Sequence, residues 1–367
     1  MSLLNLSKFT GHAKTFFAWQ IELTTRCPLK CRMCIRDEAE DWFSSDMNIE
    51  DFRKLTPYFK DVETVVLEGW GESLLHKDIL EAIRLVKAEG AQAGFVTSGR
   101  VLNREYISEI ISTGVDFIGF SLSGATPVTH DSIRINSDLK SLIGHMQTFN
   151  EIKKERGLNC PRLHIVYLML RDNISEVSEL PRLAKEIGID EVVLINLNHI
   201  TNEWQEGQRV YRCNNEPLNP SYQQLLKEAE AKAKELKINI RRPSLSPIDV
   251  PLCAENPLRN LYISVDGEVS PCVYLYPPVS SPFKRIFCGN DFYLERVSFG
   301  NAFREPFHAI WNSRRYTEFR EYFMLRKKKV DDMRLSLYDM ERLRRFEITP
   351  LPEPPAQCRT CHKMLGV

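Results

Sequence analysis

Hydrophobic and polar residues along the first 240 positions predict six strands that alternate with helices. The predicted strands are short runs rich in Val, Ile, Leu and Phe, typical of parallel strands buried on both faces. The helical segments carry apolar residues three and four positions apart, as at Ile79, Ile83 and Val86. We predict strands at 16–24, 62–68, 91–97, 116–122, 162–170 and 191–197, and helices at 78–89, 104–112, 139–154, 175–187 and 222–236.

Six such units favour an α/β fold, a partial (β/α)6 TIM-like barrel, over a closed eight-fold barrel. A doubly wound open sheet is the alternative, although the first strand lacks the Gly-rich dinucleotide loop of its commonest form. Four prolines between 243 and 257 interrupt the periodicity. We therefore predict a barrel domain over 1–240 and a small α+β domain over 241–367.

Polar residues and glycines follow each predicted strand. In barrels of this type the chemistry lies at the carboxyl ends of the strands, so these segments are expected to converge on one rim. After the first strand comes a cysteine-rich loop, and the later strands are followed by 68–72, 97–99, 121–124, 171–173 and 196–199.

Charge and composition exclude several classes of function. The chain has 49 basic and 49 acidic residues, a balance that argues against nucleic-acid or anionic-membrane partners. No apolar run has the length of a membrane span, and the N-terminus lacks the blocks of a signal peptide. We therefore expect a cytoplasmic protein, in which ten cysteines indicate metal ligation rather than disulfides.

Three of these cysteines, Cys27, Cys31 and Cys34, form a C-x3-C-x2-C motif in the loop after the first strand. Three thiolates in one loop hold three corners of a [4Fe–4S] cluster. The fourth iron then has no protein ligand and is open to a small molecule, which makes the site chemical rather than purely structural.

The other seven cysteines fall into two groups. The spacing of the first group predicts a second metal site. Zinc is an alternative metal for this site, and His362 would also suit zinc as a ligand. The members of this first group are Cys253, Cys272, Cys358 and Cys361. The remaining three are interpreted as ordinary core or surface thiols: Cys160, Cys213 and Cys288.

The cysteine motif on a strand-to-helix loop resembles the signature of the radical S-adenosylmethionine (SAM) superfamily. The segment 69–73 (G-W-G-E-S) resembles the family's G-G-E-P, whose backbone meets the amino group of SAM. The segment 120–124 resembles S-x-D-G, with Ser123 in place of the acid, and 97–99 resembles T-N-G. The resemblance implies that SAM is bound by Met33, Gly69, Trp70, Gly71, Glu72, Ser121, Ser123, Leu197 and, at its carboxylate, Arg134 or Arg171.

The C-terminal region resembles the SPASM/twitch extension of this superfamily. The resemblance rests on Cys253, on Gly267-x4-Cys272 and on Cys358-x2-Cys361. Four ligands suit the shorter twitch form, which implies one auxiliary [4Fe–4S] cluster ligated at every iron.

The resemblance implies that the enzyme reductively cleaves SAM to a 5′-deoxyadenosyl radical, which removes hydrogen from a substrate. Flavodoxin or ferredoxin would supply the electron. His199, as a base, and Glu203 are the candidate catalytic residues after the sixth strand.

Because the 26 residues before Cys27 are few for a leader-binding domain, a small-molecule or cofactor-pathway substrate is favoured, with net oxidation assisted by the auxiliary cluster. One alternative is a peptide-modifying maturase of the RiPP or sulfatase type. The other is a non-catalytic iron–sulfur electron-transfer or zinc-stabilised scaffold protein.

Overall fold

The strands of the computed structural model, which describes residues 14–37, 39–214, 216–337 and 350–367, include all six that the sequence pattern predicts. In chain order they are β1 (Phe16–Ile21), β2 (Lys30–Cys31), β3 (Val62–Val66), β4 (Gln92–Thr97), β5 (Phe117–Leu122), β6 (Arg134–Ile135), β7 (Arg162–Met169), β8 (Glu191–Asn196), β9 (Asn239–Arg241), β10 (Asn260–Ile263), β11 (Val269–Ser270), β12 (Phe283–Phe287) and β13 (Asn290–Leu294).

Helices follow most of the long strands, and their ends have local causes. The Asn103 side chain accepts the Tyr106 N–H and begins one helix, while Gly188, with φ of 83°, ends another in the left-handed conformation. The helices are α1 (Ile49–Arg53), α2 (Ile79–Ala88), α3 (Arg104–Ser112), α4 (Pro127–Ile133), α5 (Leu139–Glu155), α6 (Leu180–Ile187), α7 (Glu203–Gly207), α8 (Pro220–Leu236), α9 (Phe307–Trp311) and α10 (Arg314–Leu337).

The main sheet has nine strands in the order β11-β10-β1-β3-β4-β5-β7-β8-β9. Every neighbouring pair is parallel except β10–β11. The six predicted strands lie side by side in chain order, which confirms the partial barrel. The sheet also crosses the predicted domain boundary, because β10 pairs with β1 and places Asn260 opposite Ala18.

The core lies between the sheet and its surrounding helices. Trp19 on β1 is fully buried, and its ring lies 4.3 Å from that of Phe307 and 6.0 Å from that of Phe59. The alternation of a strand places Gln20 and Glu22 on the opposite, inner face. Polar side chains on the inner face of β1 are thereby available to line the barrel interior.

The prediction that Cys213 and Cys288 are ordinary thiols is wrong, because the two form a disulfide. Their Cα atoms lie 5.8 Å apart although the residues are 75 positions apart in the chain. Cys288 lies in the turn between β12 and β13, and Cys213 in the loop before α8. Cys160 is an exposed thiol, as expected. A pairing over this distance has no signal in the local sequence.

Among the described residues, no helix is both long and apolar enough to span a membrane.

Candidate active site

The cysteine motif follows β1 and is held by a short two-stranded ribbon. Within the motif, β2 pairs antiparallel with β6, and this register places Cys31 opposite Arg134. The loop packs into an apolar pocket, because Cys31 and Met33 are buried in one cluster with Leu197. The fold therefore brings Leu197, more than 160 positions away in the sequence, into contact with the cluster of residues around the motif.

The cysteine thiols lie in surroundings that fit an iron–sulfur cluster. Burial raises the pKa of Cys27 to about 12 and also raises the pKa of Cys34. Bare thiolates are therefore unstable in this pocket, whereas cationic iron compensates their charge and deprotonates coordinating thiols outright. Cys27, Cys31 and Cys34 would hold the cluster.

The Gly69–Glu72 segment lies against the chain that enters the motif. A Cβ atom at Gly71 would lie 2.1 Å from the Thr24 carbonyl oxygen, so only glycine fits this approach. The Glu72 N–H donates to the Arg26 carbonyl at 2.8 Å. The segment is therefore fixed to the backbone immediately before Cys27.

Glu22 supports the same segment from inside the barrel. One carboxylate oxygen accepts the Trp70 N–H at 2.6 Å, and the other accepts the Tyr262 hydroxyl at 2.7 Å. Burial raises the pKa of Glu22 to about 7, against the opposing effect of these two hydrogen bonds.

Glu72 fixes the neighbouring Thr97–Gly99 turn. Its buried carboxylate accepts the Thr97 hydroxyl at 2.7 Å, the Ser98 N–H at 2.8 Å and the Ser98 hydroxyl at 2.6 Å. Both oxygens are occupied within the protein. Its side chain therefore fixes the Gly69–Glu72 segment, which is predicted to bind SAM, relative to the Thr97–Gly99 turn.

Ser123 and Arg134 lie together beside the motif. The Arg134 Nε–H donates to the Ser123 hydroxyl at 2.9 Å, and the Ser123 N–H donates to Nδ1 of His130 at 3.2 Å. Asn173, which is fully buried, donates to the Ser123 carbonyl at 3.0 Å. Ser121 lies two residues earlier on β5, in register with Val166 of β7.

Two predicted site residues lie away from this group. The Arg171 side chain is exposed and borders a surface groove of about 390 Å³. Glu203 is exposed in the first turn of α7. The other candidate catalytic residue, His199, is buried, whereas α7 leaves the Glu203 side chain exposed to solvent.

The four later cysteines belong to the C-terminal part of the fold, and their surroundings also fit a cluster. Burial raises the pKa of Cys253 to about 12 and places those of Cys272 and Cys358 well above their usual value. Cys361 contributes to all three shifts, and Cys253 contributes to those of Cys272 and Cys358. Such repulsion between charges indicates proximity, so Cys253, Cys272, Cys358 and Cys361 would hold one cluster together.

Three aromatic rings form a bridge from the Gly69–Glu72 segment to the residues that follow Cys272. The rings of Trp70 and His199 lie 5.1 Å apart, and Tyr274 stacks on His199 at 5.9 Å. His199 is buried, and neither ring nitrogen has a hydrogen-bond partner among the described residues. Nε1 of Trp70 is likewise unpartnered there. The bridge thus offers buried polar atoms to a ligand.

A charged cavity of about 160 Å³ lies beside this bridge. Glu68, Glu255 and Cys272 are among its lining residues. The Lys363 ammonium is 2.6 Å from the Glu255 carboxylate and lies over the Tyr274 ring at 5.0 Å. Burial, reinforced by Glu255, raises the pKa of Glu68 to about 7.

The sequence interpretation missed the cavity residue Glu255 and the two residues that connect it to the bridge. They belong to segments without a motif, and only their position two residues from Cys253, Cys272 and Cys361 gives a signal. These residues are Glu255, Tyr274 and Lys363.

Comparisons with known proteins agree with this arrangement. The family described as the radical SAM superfamily matches residues 21–184, and SPASM, an iron–sulfur cluster-binding domain, matches residues 253–362. These matches confirm the predicted resemblance and its implied cofactors, SAM and [4Fe–4S] clusters. They favour iron–sulfur over the zinc alternative for the C-terminal cysteines.

Individual relatives are distant. A tungsten-containing aldehyde ferredoxin oxidoreductase cofactor-modifying protein from Pyrococcus furiosus is 26% identical over 82% of each chain. A PqqA peptide cyclase from Bradyrhizobium diazoefficiens is 22% identical over 53% of this chain and half of its own. The fold resembles that of Streptococcus suis SuiB bound to S-adenosylmethionine, with a TM-score of 0.60, 14% identity and coverage of 84% of this chain and 68% of that one.

Proposed function

We propose, on the premise that the chain belongs to the radical SAM superfamily and carries a SPASM domain, that it oxidises a small molecule on a cofactor pathway. The observation that carries this proposal is the aromatic bridge of Trp70, His199 and Tyr274, which joins the Gly69–Glu72 segment to the residues that follow Cys272. A substrate held at the bridge would contact both of these segments. We also propose that a ferredoxin or flavodoxin supplies the electrons.

When bound, the cofactors would supply hydrogen-atom abstraction and a one-electron acceptor. The protein's part is to bind the substrate, orient one C–H bond and exclude water. Trp70 belongs to the segment that meets SAM, and Tyr274 follows Cys272 by two residues. Both walls of the substrate site are therefore fixed to cofactor-binding segments.

His199 is the proposed catalytic residue, a hydrogen-bond partner and proton acceptor for a substrate hydroxyl or amine. Burial, with Arg285 and His362 nearby, lowers the pKa of His199 well below its usual value. The ring is therefore neutral and offers one N–H donor and one lone pair. Net oxidation of an alcohol or amine carbon releases one proton, and His199 would accept it.

The charged side chains beside the bridge determine which substrates fit. Lys363 and Glu255 form an ion pair, and Glu68 lines the same cavity. A polar substrate with several hydrogen-bonding groups satisfies these side chains, whereas an apolar one leaves them unpaired. The cavity volume suits part of a small molecule.

The Pyrococcus furiosus relative supports a cofactor-pathway substrate, since its name describes a cofactor-modifying protein and the match covers 82% of both chains. A second candidate is peptide modification. It is supported by the PqqA peptide cyclase match and by a surface groove of about 340 Å³ that reaches His199 from the exposed side chain of Tyr293. A peptide side chain entering this groove would meet the same histidine.

The test follows deuterium from substrate into 5′-deoxyadenosine. Cells of the source organism are grown in deuterated medium, and their extract is separated by ultrafiltration into small-molecule and peptide fractions. The reduced, cluster-loaded enzyme is incubated with SAM and each fraction. Deuterium transfer from the small-molecule fraction supports the proposal, and transfer from the peptide fraction alone overturns it in favour of the second candidate.

The role of His199 is tested with His199→Gln, with Glu203→Gln as the matched surface control. His199→Gln is expected to keep SAM cleavage but to form at least tenfold less oxidised product, while Glu203→Gln behaves as wild type. Equal product formation by the two variants would show that His199 has no catalytic role.

A further inference from the structure

Cys213, Cys288 and His362 form a third group of metal-ligating atoms, separate from both predicted cluster sites. Among the described residues they are the one set of three such side chains whose ligand atoms all lie within 4.8 Å of one another. The proposed function gives none of the three a catalytic, substrate-binding or cluster-ligating role. His362, which the sequence suggested as a substitute ligand beside Cys361, lies with these two cysteines instead.

The three residues come from three separate parts of the fold. Cys213 lies in the loop before α8, Cys288 in the tight turn between β12 and β13, and His362 at the C-terminus. Cys288 and Gly289 both have positive φ, of 50° and 77°. Asn, Asp or Gly is usual in such a hairpin turn, so the turn itself does not account for a cysteine.

The histidine ring is held with Nε2 directed at this group. His362 is fully buried, and its ring lies 5.3 Å from that of Tyr211 and 4.9 Å from that of Phe287. Its Nε2 atom accepts the Cys288 N–H at 3.4 Å, a long contact. The lone pair of Nε2 therefore faces the sulfur-bearing turn.

A nearby carboxylate is already paired and so does not compete for a ligand position. Glu216 accepts the Cys213 N–H at 2.7 Å and forms an ion pair with Arg209 at 2.8 Å. The site then offers two sulfurs and one nitrogen. Two thiolates, one neutral imidazole and one divalent ion sum to zero charge, which suits a buried position.

We propose that reduction of the Cys213–Cys288 disulfide opens a binding site for one thiophilic metal ion, such as Zn²⁺, held by both sulfurs and His362 Nε2. At Zn–S bonds of about 2.3 Å, two sulfurs on a tetrahedral ion lie roughly 3.8 Å apart. That separation is within reach of side chains whose Cα atoms are 5.8 Å apart. Three protein ligands leave the fourth position open.

The redox step balances with a dithiol reductant. The reductant gives two electrons and two protons to the disulfide, yielding the Cys213 and Cys288 thiols, and becomes a disulfide itself. Binding of the ion then releases two protons to solvent as two sulfur–metal bonds and one nitrogen–metal bond form. The same residues thus connect the barrel loop to the C-terminal domain in either redox state.

The experiment uses the full chain with both iron–sulfur clusters loaded, so that the seven predicted cluster ligands are occupied. The protein is treated anaerobically with a dithiol, freed of it, and titrated with Zn²⁺ against a chromophoric chelator. We expect one bound zinc per chain after reduction and none before it. Absence of zinc binding by the reduced protein would overturn the proposal.

Cys213→Ser and Cys288→Ser are expected to weaken zinc binding at least tenfold, and His362→Gln, which keeps both cysteines, to weaken it by about tenfold. Cys160→Ser is the matched control, since Cys160 is an exposed thiol outside all three groups. Iron content reports folding and is expected to stay unchanged in every variant. Loss of iron in Cys213→Ser or Cys288→Ser would instead make these residues cluster ligands and refute the proposal.

This inference is independent of the proposed substrate. SAM cleavage and product formation are measured in the same samples, so failure of zinc binding and failure of the proposed oxidation are distinguishable.

Discussion

Arg134 donates its Nε–H to the Ser123 hydroxyl at 2.9 Å while its backbone lies opposite Cys31 in a two-stranded ribbon. This relationship joins the cysteine motif to the end of β5. No hydrogen bond from the two Nη groups of Arg134 is found among the described residues. These groups remain available for a carboxylate beside the cluster site.

The first prediction decides between the two arginines proposed for the SAM carboxylate. Arg134→Ala removes a charged hydrogen-bond donor, worth about 1.5–3 kcal/mol, and should weaken SAM binding roughly 10- to 100-fold. Arg171→Ala, at an exposed position, should have little effect. Equilibrium SAM binding to the cluster-loaded protein measures both, and a larger loss in Arg171→Ala would reverse the assignment.

A second prediction separates the two cysteine sets. Cys31→Ala should lose about four irons per chain and all formation of 5′-deoxyadenosine. Cys272→Ala should also lose about four irons but keep SAM cleavage, while oxidised product disappears. Iron analysis and product chromatography distinguish these outcomes, with Cys160→Ala as control. An unchanged amount of oxidised product in Cys272→Ala would show that the auxiliary cluster takes no part in the oxidation.

A third prediction concerns backbone approach at Gly71. In Gly71→Ala, the added methyl group would lie 2.1 Å from the Thr24 carbonyl oxygen, so the segment that is predicted to bind SAM must move. We expect the free energy of unfolding to fall by about 1–3 kcal/mol and SAM binding to become weaker.

Gly144→Ala is the control for Gly71→Ala, because nothing lies within 4 Å of its added carbon and the residue is inside α5. It should stabilise the protein by up to about 1 kcal/mol. Denaturant unfolding of the two variants measures the difference, and equal stability would contradict the close approach at Gly71.

The fourth prediction is a pH dependence from Glu22. The pKa of this carboxyl is raised from 4.5 to about 7 in the folded protein. Its contribution to stability is therefore complete below pH 4.5 and is lost as the pH rises to about 7, a change of roughly 3 kcal/mol.

Glu22→Gln should remove this pH-dependent loss while keeping an acceptor for the Trp70 N–H. The variant therefore gains stability relative to wild type as the pH rises from 5 to 8. Glu235→Gln, at an exposed position on α8, should follow the wild-type profile. Urea unfolding at the two pH values is the measurement, and parallel profiles for Glu22→Gln and wild type would refute a titration of Glu22 in this range.

The sequence by itself determined the elements that depend on short-range periodicity. β4, α3 and β7 begin within one residue of their predicted positions, because the apolar spacing of a strand or helix is a local property. The cysteine motif and the glycine-containing segments after β3 and β4 are local in the same way. These local features were sufficient to predict the partial barrel, the resemblance to the superfamily and the cofactors.

Only the tertiary structure decided which distant side chains meet. The pairing of Cys213 with Cys288 and the stacking of His199 on Tyr274 join positions 75 residues apart. The tertiary structure also distinguished Arg134, which lies beside Cys31, from the exposed Arg171. Such contacts depend on the order and register of the strands, which a local pattern does not encode. The cofactors could therefore be predicted from the sequence, whereas the fold decided which distant side chains pack together beside their predicted sites.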